Sequence, residues 1–204
     1  MLLNGKWTED WQPVQAKDEK GGFVRQISSF RNWITPGGSA GPSGEGGFAA
    51  EAGRYHLYVA LICPWASRTL IARKLKRLED VVSLSVVEPA LTDQGWRFGD
   101  YPGANRDKLN GATYLHELYS KADDDFTGRA TVPVLWDKKR ATIVNNESAE
   151  IVRIFNSGFG ALARVSILSA GPARRNRRAQ RSHLSDAEQW RLPRWLCHNA
   201  ARLW

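Results

Sequence analysis

Two apolar runs flank one amphipathic stretch in the middle of the chain. YHLYVALI (55–62) and VVSLSVV (81–87) are rich in β-branched and aromatic residues and predict strands. Between them, Pro64 stands where a helix can begin, and WASRTLIARKLKRL continues it. On that helix Leu70, Ile71 and Leu75 are expected to form the inward face, and Arg68, Arg73, Lys76 and Arg77 to meet solvent. Strand, helix and strand make a βαβ unit, whose crossover should be right-handed. Downstream, a helix is predicted around 112–122. TVPVLWD (131–137) and ATIVNN (141–146) read as strands joined by the turn DKKR, and ESAEIVRIF (147–155) as a short helix with Ile151, Ile154 and Phe155 inward. The order β-α-β, then β-β-α, predicts an α/β protein with a thioredoxin-like domain over residues 54–158.

Residues 1–53 lack such periodicity. Their second half, FRNWITPGGSAGPSGEGGFAAEAG, is a Gly-rich loop. Gly44, Gly46 and Gly47 do not make a dinucleotide fingerprint, which needs a strand before and a helix after. A loop of this length points to a lid or cover. The net charge of +8 is uneven: from Met1 to Phe159 there are 20 basic and 19 acidic residues, and from Gly160 onward nine Arg face two acids. Residues 159–204 therefore read as an Arg-rich tail, disordered or out of frame. Two cysteines, Cys63 and Cys197, cannot build a disulfide framework, so a reducing, cytoplasmic compartment is expected. No apolar run is long enough to span a bilayer, and the N-terminus lacks the apolar stretch of a signal peptide, so no membrane partner is expected. His56 and His116 show no metal or triad spacing, and no metal is expected.

Cys63 ends an apolar strand and precedes Pro64. Proline suits the first turn of a helix, where its missing N–H has no intrahelical partner. The sulfur is thereby placed at a helix N-terminus, where exposed N–H groups and the dipole favour a thiolate. The motif is C-P-W-A. Ala66 fills the place of a resolving cysteine, so an internal dithiol cycle is excluded and a monothiol cycle resolved by an outside thiol remains. The alternative is a buried, inert cysteine. Val132-Pro133 opens a strand, as either an ordinary edge proline or a cis turn that turns the Val132 amide groups toward an extended peptide. Glu147-Ser148 starts a helix, as either simple capping or a holder for the ammonium and carboxylate of a ligand. Together these describe a pocket for a small peptide beside a reactive thiol.

At these residues the chain resembles a known family. YHLYVALICPWASRTLIARKLKRLEDVVSLSVV, GWRF, GRATVPVLWDKKRATIVNNESAEIVRIFN and RNWITPGGSAGPSGEGGFAAEAGRYHLY are similar to the glutathionyl-hydroquinone reductases, the xi-class glutathione transferases related to the omega class. The likeness runs from about residue 3 to residue 157. It implies that Cys63 is the nucleophile, attacking the sulfur of a glutathionyl-hydroquinone and releasing the hydroquinone, after which a second glutathione clears the mixed disulfide. It also implies glutathione contacts from Trp96, from Arg129, Ala130, Thr131 and Val132 with Pro133, and from Glu147 and Ser148. It further implies no bound cofactor, glutathione as cosubstrate and quinone-derived thioethers as partners.

The likeness stops near Asn156, where the family continues into an all-helical domain. The remainder has no helical apolar period and is expected to be an out-of-frame translation. EQWRLPRWLCHNA (188–200) can be encoded so that a one-base shift reads NNGVYRAGFATTQ, which resembles the family's second domain. On that expectation the chain lacks the helical domain, its tyrosine acid–base and the family's dimer contacts, and its reductase activity is impaired. Two competing readings are a monothiol deglutathionylase, which needs only residues 54–158, and a non-functional remnant with a basic tail that binds nucleic acid with strong salt dependence. Nucleic acid is not the expected partner.

Overall fold

A computed structural model describes residues 1–9 and 27–163, together with the backbone of the strand pair Ala16–Lys17 and Phe23–Val24. Residues 164–204 of the Arg-rich tail, with Cys197, lie outside the described residues, whereas Phe159 at its start is buried in the core. Seven elements form the body: β1 (Tyr55–Val59), α1 (Pro64–Leu75), β2 (Val82–Val86), α2 (Leu115–Ala122), β3 (Val134–Asp137), β4 (Thr142–Asn145) and α3 (Ser148–Arg153). The sheet order is β4-β3-β1-β2. β1 and β2 are parallel, with Tyr55 opposite Val82 and Val59 opposite Val86. β3 is antiparallel to both β1 and β4.

Every residue of β1 is buried. The strand is central, and its side chains alternate between two covered faces. The Tyr55 ring meets Phe159 edge-on beyond α3, whereas Tyr58, of opposite parity, meets Phe98 and gives its hydroxyl proton to Asp107. α1 and α3 pack together, and α2 lies against β4. The apolar run 55–62 is only partly strand: after Val59 the chain turns, and the Cys63 N–H bonds the Ala60 carbonyl at 3.1 Å. Ile151, Ile154 and Phe155 are fully buried, in keeping with their spacing.

The face of α1 corrects the sequence expectation. Ala66, Thr69 and Ala72 point into the core and Leu70 packs against it as expected, while Ile71 and Leu75 are 58% and 52% exposed. Two of the cations expected in solvent instead reach backbone carbonyls. Lys76 is 3% exposed and its Nζ donates to the Asn156 carbonyl at 2.7 Å. Arg73 Nε donates to the Val82 carbonyl at 2.7 Å. The physical reason is proximity: small side chains let α1 lie close to the sheet and to α3, and long cationic stems can thread along apolar surface to reach a carbonyl. The helix ends at Lys76. Arg77 takes φ +52°, and Leu78, fully buried, returns its N–H to the Arg73 carbonyl.

The Gly-rich segment is packed onto the body. Trp33, Ile34 and Phe48 join the core. Residues 30–32 run along β4: the Asn32 N–H bonds the Val144 carbonyl at 2.9 Å and the Asn146 N–H bonds the Phe30 carbonyl at 3.1 Å. This pairing covers the free edge of β4, which would otherwise offer unpaired backbone to another chain. Arg54, at the start of β1, forms a buried ion pair with Asp137 at the end of β3 and so ties the same segment to the sheet. At the N-terminus, Leu2–Leu3 and Lys6–Trp7 form a small hairpin. Its turn requires glycine: Gly5 has φ +71°, and a Cβ there would stand 1.8 Å from the Asp124 carbonyl oxygen. Leu2 and Gly128 exchange backbone hydrogen bonds, which braces the chain just before Arg129. Among the described residues no helix is long and apolar enough to cross a membrane.

Candidate functional site

Cys63 is the N-cap residue of α1, in extended geometry at φ −90° and ψ 113°, with Pro64 directly after it. Its carbonyl accepts the first helical hydrogen bond from the Ser67 N–H at 2.9 Å and a second from the Ser67 hydroxyl at 3.0 Å. The first turn carries no acidic residue to repel a thiolate, and the last carries Arg73 and Lys74, whose charges complement the helix dipole. The sulfur is partly exposed and reduced. Ala66, on the next turn, is fully buried. A half-exposed thiol at this place can meet a sulfur electrophile from solvent, with no second thiol on α1 to resolve the product.

The Cys63 Sγ–H points at the Val132 carbonyl, 3.9 Å away. The Val132–Pro133 peptide is cis. Both residues are buried, and they lead into β3. Thr131, just before them, is held through its backbone: the Tyr119 hydroxyl donates to the Thr131 carbonyl at 2.8 Å and accepts from its N–H at 3.2 Å. Asn146 Nδ2 donates to the same hydroxyl at 3.2 Å. Tyr119 therefore couples the loop before the cis proline to the residue before Glu147. Burial pushes its phenol well above the ordinary range, so it stays neutral and keeps its proton for the bond to Thr131.

Glu147 is the N-cap of α3 and Ser148 its first residue. The Glu147 carboxylate accepts from the Ala149 N–H at 3.3 Å and from the Ser28 hydroxyl at 3.0 Å. Arg68, one turn beyond Cys63 on α1, sends two N–H groups to the Ser148 hydroxyl, Nε at 3.0 Å and Nη2 closer. The same guanidinium lies 3.6 Å from Glu147 Oε1 and over the Trp65 ring, 4.9 Å from its centre. Beneath the pair, Glu150 receives Arg31 in a charge-assisted bond and Asn145 Nδ2 at 2.9 Å. The Glu150 bond is the main reason the Arg31 guanidinium is held above its ordinary range.

These contacts join Cys63, Thr131, Val132, Pro133, Glu147 and Ser148 in one neighbourhood. Three other predicted residues sit at its margins. Trp96 is half-buried on a separate hairpin, Leu91–Thr92 with Gly95–Trp96. Arg129 and Ala130 are half-buried on the loop that enters the cis proline. Arg68, Tyr119, Ser28 and Asn146 belong to the neighbourhood without being legible in the sequence. For Arg68 the helical pattern points to solvent because its partner lies 80 residues away; the one available signal is its place one turn beyond the cysteine. His56 and His116 are both buried. His116 stacks on Trp7 at 4.6 Å, and among the described residues no cluster of His, Cys, Asp or Glu could hold a metal ion.

Comparison with known proteins agrees with this geometry. The family model for the glutathione S-transferase N-terminal domain matches residues 62–157. Glutathionyl-hydroquinone reductase YqjG of Escherichia coli is 55% identical over 162 residues, which are 79% of this chain and 49% of that protein. The glutathione-bound structure of YqjG superposes with a TM-score of 0.70 at 50% identity, covering 81% of this chain and 48% of that one. A xi-class glutathione transferase from Natrialba magadii gives a TM-score of 0.70 at 44% identity, over 84% and 49% of the two chains. The chain thus spans about half the length of these relatives. Strand order, the thiol at the start of α1, the cis proline before β3 and these matches identify residues 62–157 as a glutathione S-transferase N-terminal domain of thioredoxin-like fold, in a chain similar to the xi-class glutathionyl-hydroquinone reductases.

Proposed function

We propose that residues 54–158 form the glutathione-binding unit of a glutathionyl-hydroquinone reductase working in a reducing cytoplasm, with Cys63 as its nucleophile. The observation that carries this reading is the placement of Cys63 at the head of α1, in contact with Val132 and one helical turn from the Arg68–Ser148–Glu147 cluster. The names of the relatives support the substrate class.

In the first step the Cys63 sulfur attacks the glutathione sulfur of the aryl thioether. The new S–S bond forms as the C–S bond breaks. The aryl carbon keeps the electron pair and takes a proton, and the hydroquinone leaves. In the second step the thiolate of another glutathione attacks the mixed disulfide at the glutathionyl sulfur. Glutathione disulfide departs and Cys63 regains its thiol. The ring is thus reduced by two electrons supplied by two glutathione thiols, one of them already bound to it. On this reading the backbone of Val132 pairs with the cysteinyl residue of the peptide, as an added strand would. Arg129, Ala130 and Thr131 follow the same segment, Trp96 borders it, and Glu147 and Ser148 take the γ-glutamyl end.

The test is direct. Purified chain treated with glutathione disulfide should gain one glutathionyl group on Cys63, read by mass spectrometry of the tryptic peptide, and Cys63→Ser should gain none. Absence of the adduct in the unsubstituted protein overturns the reading. A second reading, monothiol deglutathionylation, is favoured by the fact that Cys63, Val132 and the Glu147–Ser148 pair all belong to one thioredoxin-like unit. Parallel assays with a glutathionyl-hydroquinone and with a glutathionylated peptide separate the two, since only the reductase releases a hydroquinone.

A further inference from the structure

The small hairpin at the N-terminus carries a side chain that its own folding does not account for. Trp7 stacks on His116 with ring centres 4.6 Å apart, and its Nε1 is buried without a hydrogen-bond partner. An orphaned buried donor costs stability, and a phenyl ring would stack on His116 without that cost. What the indole adds is reach. Its far edge faces Gly95, where a Cβ would stand 3.7 Å from Trp7 Cη2. Gly95 precedes Trp96 on the Leu91–Trp96 hairpin, and Gln94, one residue earlier, places its Oε1 3.4 Å from His116 Nε2. Trp7 and His116 thus meet the two residues that lead into Trp96. The Leu91–Trp96 hairpin has strands of only two residues each, too short to be rigid alone. The N-terminal hairpin, by contrast, is tied down. The Gly5 N–H bonds the Phe126 carbonyl at 2.9 Å, the Ser120 hydroxyl donates to the Gly5 carbonyl at 2.6 Å, and Leu2 exchanges backbone bonds with Gly128. Trp7 can therefore act as a fixed stop for its weaker neighbour.

We infer that Trp7 is a positioning residue: packed on His116 and facing Gly95, it holds the Leu91–Trp96 hairpin in place, so that Trp96 meets glutathione already ordered. The inference rests on the glutathione-binding reading given above, in which Trp96 borders the peptide. A segment ordered in the free protein does not have to be ordered on binding, and the difference appears as affinity. Trp7 itself touches no ligand and acts through the residue it holds. The orphaned Nε1 fits this role, since a ring chosen for packing alone would not carry it.

The test uses the full chain and Trp7→Phe, which keeps a ring on His116 and removes both the orphaned N–H and the edge that faces Gly95. Amide hydrogen exchange of the free protein, read by mass spectrometry, should quicken over residues 91–97 and stay unchanged in β1 and β3. Calorimetric titration with reduced glutathione should show Kd raised about twofold to tenfold, the range for ordering one side chain on binding. In a Trp96→Leu background the same substitution should leave Kd unchanged, because Trp7 acts through Trp96. Unchanged exchange over 91–97, or an unchanged Kd, overturns the role of Trp7 while leaving the glutathione reading intact. Equal weakening with and without Trp96 shows a route other than this hairpin and also overturns it. Faster exchange that extends into β1 and β3 shows a general loss of packing and does the same. Failure of the unsubstituted protein to bind glutathione overturns the reading beneath it.

Discussion

Acid should destabilise this protein through one buried imidazole, and the size of the effect follows from the structure. His56 sits in the middle of β1, 6% exposed, with Nδ1 2.7 Å from the Ser83 hydroxyl and Nε2 buried without a partner. Burial pulls its pKa from 6.5 to about 4; Lys138 and Arg73 lower it further, and Asp107 opposes them. The unfolded chain therefore binds a proton near pH 6.5 that the folded chain refuses until about pH 4. Stability is complete above the unfolded value and is lost as pH falls through the window between the two. At pH 5 the loss amounts to about 2 kcal/mol, since each pH value below 6.5 at which only the unfolded chain is protonated costs ~1.4 kcal/mol more than the one above it. That is a large share of the roughly 5–15 kcal/mol typical of a folded domain. His56→Phe removes the titration and keeps a ring against Tyr58. It does not orphan Ser83, whose hydroxyl still donates to the Tyr55 carbonyl and accepts from Lys138 Nζ. Urea unfolding at about pH 7.5 and pH 5 supplies the comparison, and carboxylate titrations common to both proteins cancel in the double difference. The unsubstituted protein should lose about 2 kcal/mol more than the variant on acidification. Equal losses would refute the assignment of the acid sensitivity to His56.

Three further outcomes are expected. Arg54→Met leaves the fully buried Asp137 carboxylate without its guanidinium and should cost about 3–5 kcal/mol in urea unfolding, most of it recovered when Asp137→Asn is added. On α1, Ile71→Gln should stay within about 0.5 kcal/mol of the parent. The neighbouring Ala72→Leu, pointed into the packed core, should cost about 1–3 kcal/mol, reversing the order hydropathy alone would give. Arg77→Gly should raise the unfolding midpoint by an amount equivalent to about 1 kcal/mol, because the residue occupies a left-handed conformation at the helix end.

The exposed apolar face of α1 has a bearing on how the chain is handled in any of these assays. Trp65, Ile71 and Leu75 on the helix, with Leu61 and Ile62 before it, are large apolar side chains left exposed. Exposed groups of this kind favour association. Glutathione titrations should therefore be repeated across protein concentration, and a binding constant that changes with it marks association rather than the site.

The amino-acid sequence alone determined the order of the body's elements, the turn after β3, the thiol at the helix start and, of the groups around it, Val132-Pro133 and Glu147-Ser148. Those features are local: a proline after a cysteine, alternation over a few residues, a glutamate and a serine at the beginning of a helix. Likeness to the family was also written in contiguous strings. Tertiary structure decided what depends on distance along the chain. Which face of α1 is buried was set by how closely small residues allow it to approach the sheet and α3, so Ala66, Thr69 and Ala72 displaced the larger Ile71 and Leu75 that hydropathy favours. Arg68 found Ser148, Tyr119 found Thr131 and Ser28 found Glu147 across separations of 80, 12 and 119 residues. A hydrogen bond depends on where two groups end up in space, and no periodicity in the chain encodes that meeting. The Gly-rich segment shows the same division, since its composition announced irregular backbone, and only the open edge of β4 determined where that backbone would lie.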